Sequence, residues 1–130
     1  MMESPSITQA GWAVRFAYAL TVFLIVSGSV FLLLPHAGDQ FLGLADPGAD
    51  GARTGFIGIR QLQYGLLLAV FLWRRNYAAA TIVITLGGLI PLADTVVAFS
   101  QTGMMSAMPH LGAAVGAQCL AWMMHQQQKA

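Results

Sequence analysis

The chain has 130 residues, of which 57% are hydrophobic and 8% charged, with a mean hydropathy of +0.67. A soluble domain carries about 25% charged and about 45–50% apolar residues, so this composition excludes an ordinary soluble globule and is that of a membrane protein. Six Lys and Arg against five Asp and Glu leave a net charge of +1 with no basic run, which excludes the electrostatic footprint of a nucleic-acid binder.

The first apolar stretch, Trp12 to Leu34, contains one charge, Arg15, near enough to its end to snorkel into the interface. It is predicted to be a spanning helix rather than a secretory signal peptide. A signal peptide needs a shorter apolar region, a basic lead-in and a small-x-small cleavage site, and none of these is present. Residues 35–54, PHAGDQFLGLADPGADGART, are crowded with Gly, Pro and Asp and hold no helical period, so they read as the one long loop. The second span is predicted over about 55–73, stopped by Arg74, Arg75 and Asn76; the third over about 77–99, with SQTG as the turn; the fourth over about 105–124, followed by the polar tail HQQQKA. A spanning helix takes roughly 20 residues. The chain is therefore expected to be one all-α domain, an integral membrane four-helix bundle covering 1–130.

Arg74 and Arg75 occupy a very short turn, and the positive-inside rule places such a pair in the cytoplasm. The N-terminus with Arg15 and the C-terminus with Lys129 then lie on that same side, while the loop with Arg53, Asp39, Asp46 and Asp50 lies outside. Four of the five Lys and Arg residues beyond the spans share one side under this assignment. The expected localisation is a multi-pass membrane protein with both termini cytoplasmic.

Arg60, Asp94 and His110 interrupt the second, third and fourth spans. Ionisable groups in a membrane segment cost a few kcal/mol or more and need partners. Each lies about five residues from the outer end of its span, so all three are expected roughly 8 Å below one surface. Gln63 and Tyr64 follow Arg60 at i+3 and i+4, which reads as one polar stripe facing the bundle interior, with Gln61 pointing elsewhere. On the third span Gly87, Gly88 and Pro91 precede Asp94, and a proline there removes a helical hydrogen bond and opens space beside the carboxylate. On the fourth, Pro109 precedes His110, and Gly112 with Gly116 forms a GxxxG that permits close helix contact. Ser27, Gly28 and Ser29 of the first span share this level, with Tyr18 and Thr21 deeper.

An Arg60–Asp94 pair alone reads equally well as a buried ion pair that orients two helices. The histidine at the same level and the polar stripe point beyond that to a pocket, with the apolar Phe41–Leu44 segment able to cover its mouth. The acidic loop reads as a solvated connection, since DPGADG lacks the alternating ligands of a calcium loop. His36 with Asp39 is too small a set for a metal site. Cys119, the single cysteine, can form no internal disulfide and reads as an inert apolar thiol.

GIRQLQYG in the second span, IPLADTVVAF in the third and PHLGAAVG in the fourth resemble the small four-helix membrane proteins of bacteria and fungi grouped only as a domain of unknown function, distantly similar to the DoxX-like group. The resemblance covers nearly the whole chain and maps its Arg, Asp and His pattern onto Arg60, Asp94 and His110. Relatives often carry an acid directly after the Arg, where this chain has Gln61. The family implies no activity, so the chemistry rests on the residues themselves.

A carboxylate, a guanidinium and an imidazole in an apolar cleft suit a reaction on a lipophilic small molecule. Asp94 is the expected general base or nucleophile and His110 the proton relay, with Arg60 or Tyr64 polarising an oxygen. Gln63 and Ser29 are candidates for substrate contact. Epoxide opening or double-bond isomerisation fits, and neither requires a cofactor; no nucleotide-binding motif and no metal set is visible. The alternative is a non-catalytic lipophile- or quinone-binding subunit or small carrier, in which the cluster is structural. A channel fits less well, because GLLLAVFLW below Tyr64 offers no polar path. The expected partners are a lipophilic small molecule and membrane lipid, with a homo-oligomer left open, and not nucleic acid.

Overall fold

A computed structural model of the chain describes residues 11–37 and 51–129. Asp39, Asp46, Asp50 and the Phe41–Leu44 segment lie outside the described residues. Within them the architecture is an all-α membrane bundle of four helices: α1, Trp12–Leu33; α2, Gly51–Trp73; α3, Tyr77–Thr102; and α4, Met104–Lys129. At 1.5 Å per residue the shortest of these is roughly 33 Å long, about the thickness of a hydrocarbon core. Among the described residues, three helices are long and apolar enough to cross a membrane: Trp12–Leu33, Thr54–Trp73 and Tyr77–Ser100. The fourth helix is as long, but Gly112, Gly116, Gln118, His110 and the HQQQK end break up its apolar surface. Lipid-type side chains such as Trp12, Phe23, Leu89 and Trp122 stand exposed on the outside of the bundle, as expected where the surrounding solvent is hydrocarbon rather than water.

The helices run longer than their apolar stretches. Helix α2 starts at Gly51, inside the stretch expected to be loop, and α4 carries the expected polar tail in helical form to Lys129. The SQTG turn contracts to Gly103 alone, whose φ of 90° reverses the chain between α3 and α4. Only a residue without a Cβ takes that conformation at no steric cost. The other turn uses side chains and caps. Asn76 N–H donates to the Phe71 carbonyl at 2.9 Å and Arg75 N–H to the Leu72 carbonyl at 3.0 Å, the paired bonds that close a helix C-terminus around a left-handed residue. Arg75 supplies that residue with a φ of 54°. The Asn76 side chain then accepts from Ala79 N–H at 3.1 Å and caps α3.

The bundle is two tight hairpins in looser contact. Helix α1 packs densely on α2, and α3 on α4; α2 meets α3 and α1 meets α4 more sparingly, so that α2 and α4 lie diagonally across the bundle. In the first hairpin the backbones touch. A Cβ on Gly28 would lie 2.6 Å from the Leu62 nitrogen, and one on Gly58 would lie 2.8 Å from the Gly28 carbonyl oxygen, so glycine is required at both. Tyr18 donates to the Leu72 carbonyl at 3.2 Å, fixing the antiparallel register. In the second hairpin Gln118 donates to the Thr85 carbonyl at 3.0 Å and Gln128 to Thr81 Oγ1 at 2.8 Å. The Gly112 and Gly116 motif takes no part: a Cβ on either would meet nothing within 4 Å.

All four helices contribute to one apolar core at the Arg74–Asn76 end, built from Ala13, Ala17, Leu68, Leu72, Ala80, Ile84, Leu120, Ala121 and Met124. Buried residues toward the Gly103 end, such as Phe31 and Ala107, stand outside that cluster.

Candidate functional site

The polar groups in question sit at the Gly103 end. Arg60 lies nine residues from the start of α2, Asp94 eight from the end of α3, and His110 six from the start of α4. At 1.5 Å per residue this is roughly 9–14 Å along each helix, somewhat deeper than the apolar stretches alone imply because the helices extend further.

Arg60 and Asp94 meet. Arg60 Nη2 donates to Asp94 Oδ2 at 3.2 Å, across the contact between the two hairpins. Antiparallel α2 and α3 bring these positions opposite one another, just as one turn further along α2 the Tyr64 ring lies 3.5 Å from where a Gly87 Cβ would stand. The glycine leaves room for that ring. Helix α3 passes through Pro91 without a break, and Pro91 offers no N–H to the Gly87 carbonyl. Thr95 Oγ1 returns a hydrogen bond to the Pro91 carbonyl at 2.7 Å.

The pair is neither saturated nor sealed. Its side chains are 38% and 40% exposed, whereas core Leu68 and Leu72 at the other end are 1% and 0% exposed. The single 3.2 Å contact is longer than the roughly 2.7–2.9 Å of a strong charge-assisted bond, and it lacks the two-pronged form that Arg makes with carboxylates.

The remaining residues divide. Tyr64, near the middle of α2, and His110, toward the Gly103 end, are half-buried, and neither makes a hydrogen bond or ion pair among the described residues, so no bond joins His110 to Asp94. Asp94 and His110 do stand on neighbouring helices, whereas Arg60 and His110 stand on diagonal ones. Gln63 departs from the interior stripe expected of it. It is exposed, on the face that carries exposed Leu66, Leu67 and Val70, because the interior arc of α2 lies between α1 and α3 and takes positions 60, 61 and 64 instead. Gln61 is turned toward α1: its Oε1 is 2.9 Å from Ser27 Oγ. Ser29 is turned onto its own helix, donating to the Ile25 carbonyl at 2.7 Å. The Ser27–Gln61 link was foreshadowed in the sequence only by two polar residues in apolar spans.

A groove of about 480 Å³ lies on the outward face of α1, lined by Val22, Phe23, Val26, Ser27 and Val30 with Ala37. It is apart from the Arg60–Asp94 pair, so the cavity expected around that pair is not the groove observed. Among the described residues no three His, Cys, Asp or Glu side chains gather closely enough to hold a metal ion.

A family model described as a domain of unknown function, DUF4267, matches residues 21–124. The chain belongs to the DUF4267 family. The matched range, 21–124, spans all three ionisable positions and the Gly28 and Gly58 contact between α1 and α2. No curated protein and no solved structure matches the chain.

Proposed function

We propose that this DUF4267 chain crosses the membrane four times with both termini cytoplasmic, and that the Arg60–Asp94 end is a pocket where a lipophilic small molecule is transformed without a cofactor. The observation that carries the reading is the accessibility of the pair. Two charges in membrane helices are held 3.2 Å apart yet remain 38% and 40% exposed, which serves a ligand better than it serves packing. The crossing of α4 is supported by its dense contact with α3, which is one of the three helices long and apolar enough to span a membrane. The orientation is supported by Arg74 and Arg75 in the tight turn.

Two reactions fit the groups. In epoxide opening, Asp94 takes a proton from water as the water oxygen attacks an epoxide carbon and the C–O bond breaks. The alkoxide so released, held by Arg60 or Tyr64, receives a proton returned from Asp94 by way of His110, giving a diol. In isomerisation, Asp94 removes an allylic proton and returns it at the far end of the shifted double bond while Arg60 stabilises the enolate oxygen. A second reading, a non-catalytic lipophile- or quinone-binding subunit, is favoured by one observation: no hydrogen bond connects His110 to Asp94.

Turnover separates the two. Protein in lipid nanodiscs is incubated with a long-chain epoxide and with a β,γ-unsaturated ketone. The catalytic reading expects conversion of one of them, reduced about 100-fold or more in Asp94→Asn, the range for loss of a general base. Conversion of neither, or equal conversion by the variant, overturns it. Orientation is checked with a cysteine at Ala49 in a Cys119→Ser background: labelling of sealed vesicles or cells from the outer side supports the assignment, and labelling only after the inner face is opened reverses it.

A further inference from the structure

We propose that the Arg60–Asp94 pair selects a neutral lipophile whose polar end carries a hydrogen-bond donor next to an acceptor, an α-hydroxy ketone being the simplest form, and rejects both anions and cations. The inference rests on the reading of this end as a lipophile pocket and names the ligand class. One guanidinium nitrogen and one carboxylate oxygen are engaged with each other. An arginine has five N–H donors and a carboxylate about four acceptor sites, so free donors and free acceptors are left side by side. Neither side chain has another polar partner among the described residues. A ligand carbonyl accepts from Arg60 while the adjacent hydroxyl donates to Asp94, completing both groups without separating them.

Charge decides against the alternatives. The pair is neutral as a unit, and it stands in helices long and apolar enough to cross a membrane. Adding a carboxylate or an ammonium leaves an uncompensated charge at that level, and such a charge costs a few kcal/mol or more. Adding a neutral donor–acceptor group leaves none. An epoxide with its attacking water presents the same pairing, the ring oxygen to Arg60 and the water O–H to Asp94.

The test uses the full chain in nanodiscs and a matched straight-chain series: the α-hydroxy ketone, the plain ketone, the plain alcohol, the carboxylate and the ammonium, with retention measured at equilibrium. Wild type is expected to hold the α-hydroxy ketone about tenfold more tightly than the ketone or alcohol, the worth of one added charge-assisted hydrogen bond, and to hold neither ion better than the plain ketone. Asp94→Asn leaves Arg60 uncompensated, so the carboxylate becomes the tightest of the series. Arg60→Gln does the reverse and favours the ammonium. Wild type preferring either ion, or an unchanged order in Asp94→Asn, overturns the inference, and the wild-type order stands as a test even where a variant fails to fold. If Asp94→Asn abolishes turnover while the order stays unchanged, the inference fails and the catalytic reading survives. If the order follows the charges and nothing is turned over, the inference stands on a binding protein and the catalytic reading fails.

Discussion

The two ends of the bundle are built on opposite principles. At the Arg74–Asn76 end all four helices converge on one core in which Ala17, Leu72 and Ala80 are 0% exposed, and the turn is closed by three backbone and side-chain bonds around Arg75 and Asn76. At the Gly103 end the hairpins are joined by an ion pair whose members are about two-fifths exposed, and His110 stands without a polar partner among the described residues. A membrane protein gains its packing from close, small-residue contacts, and charges in its spans are costly unless they are paired or reach water. The contrast puts the packed core at one end and the accessible ion pair, where the proposed ligand site lies, at the other.

The largest effect is expected where backbones touch. Gly58→Leu puts a side chain where even a Cβ meets the Gly28 carbonyl at 2.8 Å and the Leu32 nitrogen at 2.9 Å. Backbone on a neighbouring helix cannot move aside cheaply, so this variant is expected to give no monodisperse protein in size-exclusion chromatography. Gly116→Leu, which meets nothing within 4 Å, is expected to elute like wild type. Equal behaviour of the two breaks the account of the first hairpin.

Next comes the core. Leu72→Ala at a fully buried position is expected to destabilise by about 2–5 kcal/mol, the range for emptying a packed leucine site, read by unfolding in mixed detergent. Removing both charges together, Arg60→Gln with Asp94→Asn, is expected to cost only about 1 kcal/mol in the same measurement, because an accessible pair contributes little to stability and the double variant leaves no lone charge behind. Should the double variant destabilise more than Leu72→Ala, the polar end is structural and the division between the ends disappears. The smallest effect is expected at Gln118→Leu, which removes the bond to the Thr85 carbonyl. Hydrogen bonds between membrane helices are worth about 0.6 kcal/mol on average, so a loss above that of Leu72→Ala is the outcome that contradicts the assignment.

How far the sequence reached depended on what kind of signal each feature leaves. Helices α1 and α3 are legible because their apolar runs are long and uninterrupted, and Arg60 and Asp94 are legible as partners because charges in such runs need one. The ends were not, because polar residues such as Gln126 and Lys129 continue a helix as readily as they end one. Gln63 and Gln61 exchange expected roles for a geometric reason. The i+3 and i+4 rule identifies residues that share a face, but which arc of α2 is interior depends on where α1 and α3 lie. The glycine contact shows the same limit. Gly112 and Gly116 form a recognisable motif and face open space, whereas Gly28 and Gly58, single glycines on different helices, make the contact that the motif advertises.

The central claim, that the Arg60–Asp94 level is an accessible ligand site and not interior packing, is tested most directly by carbodiimide labelling of Asp94 in bilayer-reconstituted protein, read by mass spectrometry with and without a long-chain α-hydroxy ketone. The account predicts that Asp94 is labelled in the folded protein and is protected when the α-hydroxy ketone is present. An Asp94 that labels only after the bundle is unfolded, or one whose labelling the ketone leaves unchanged, contradicts it.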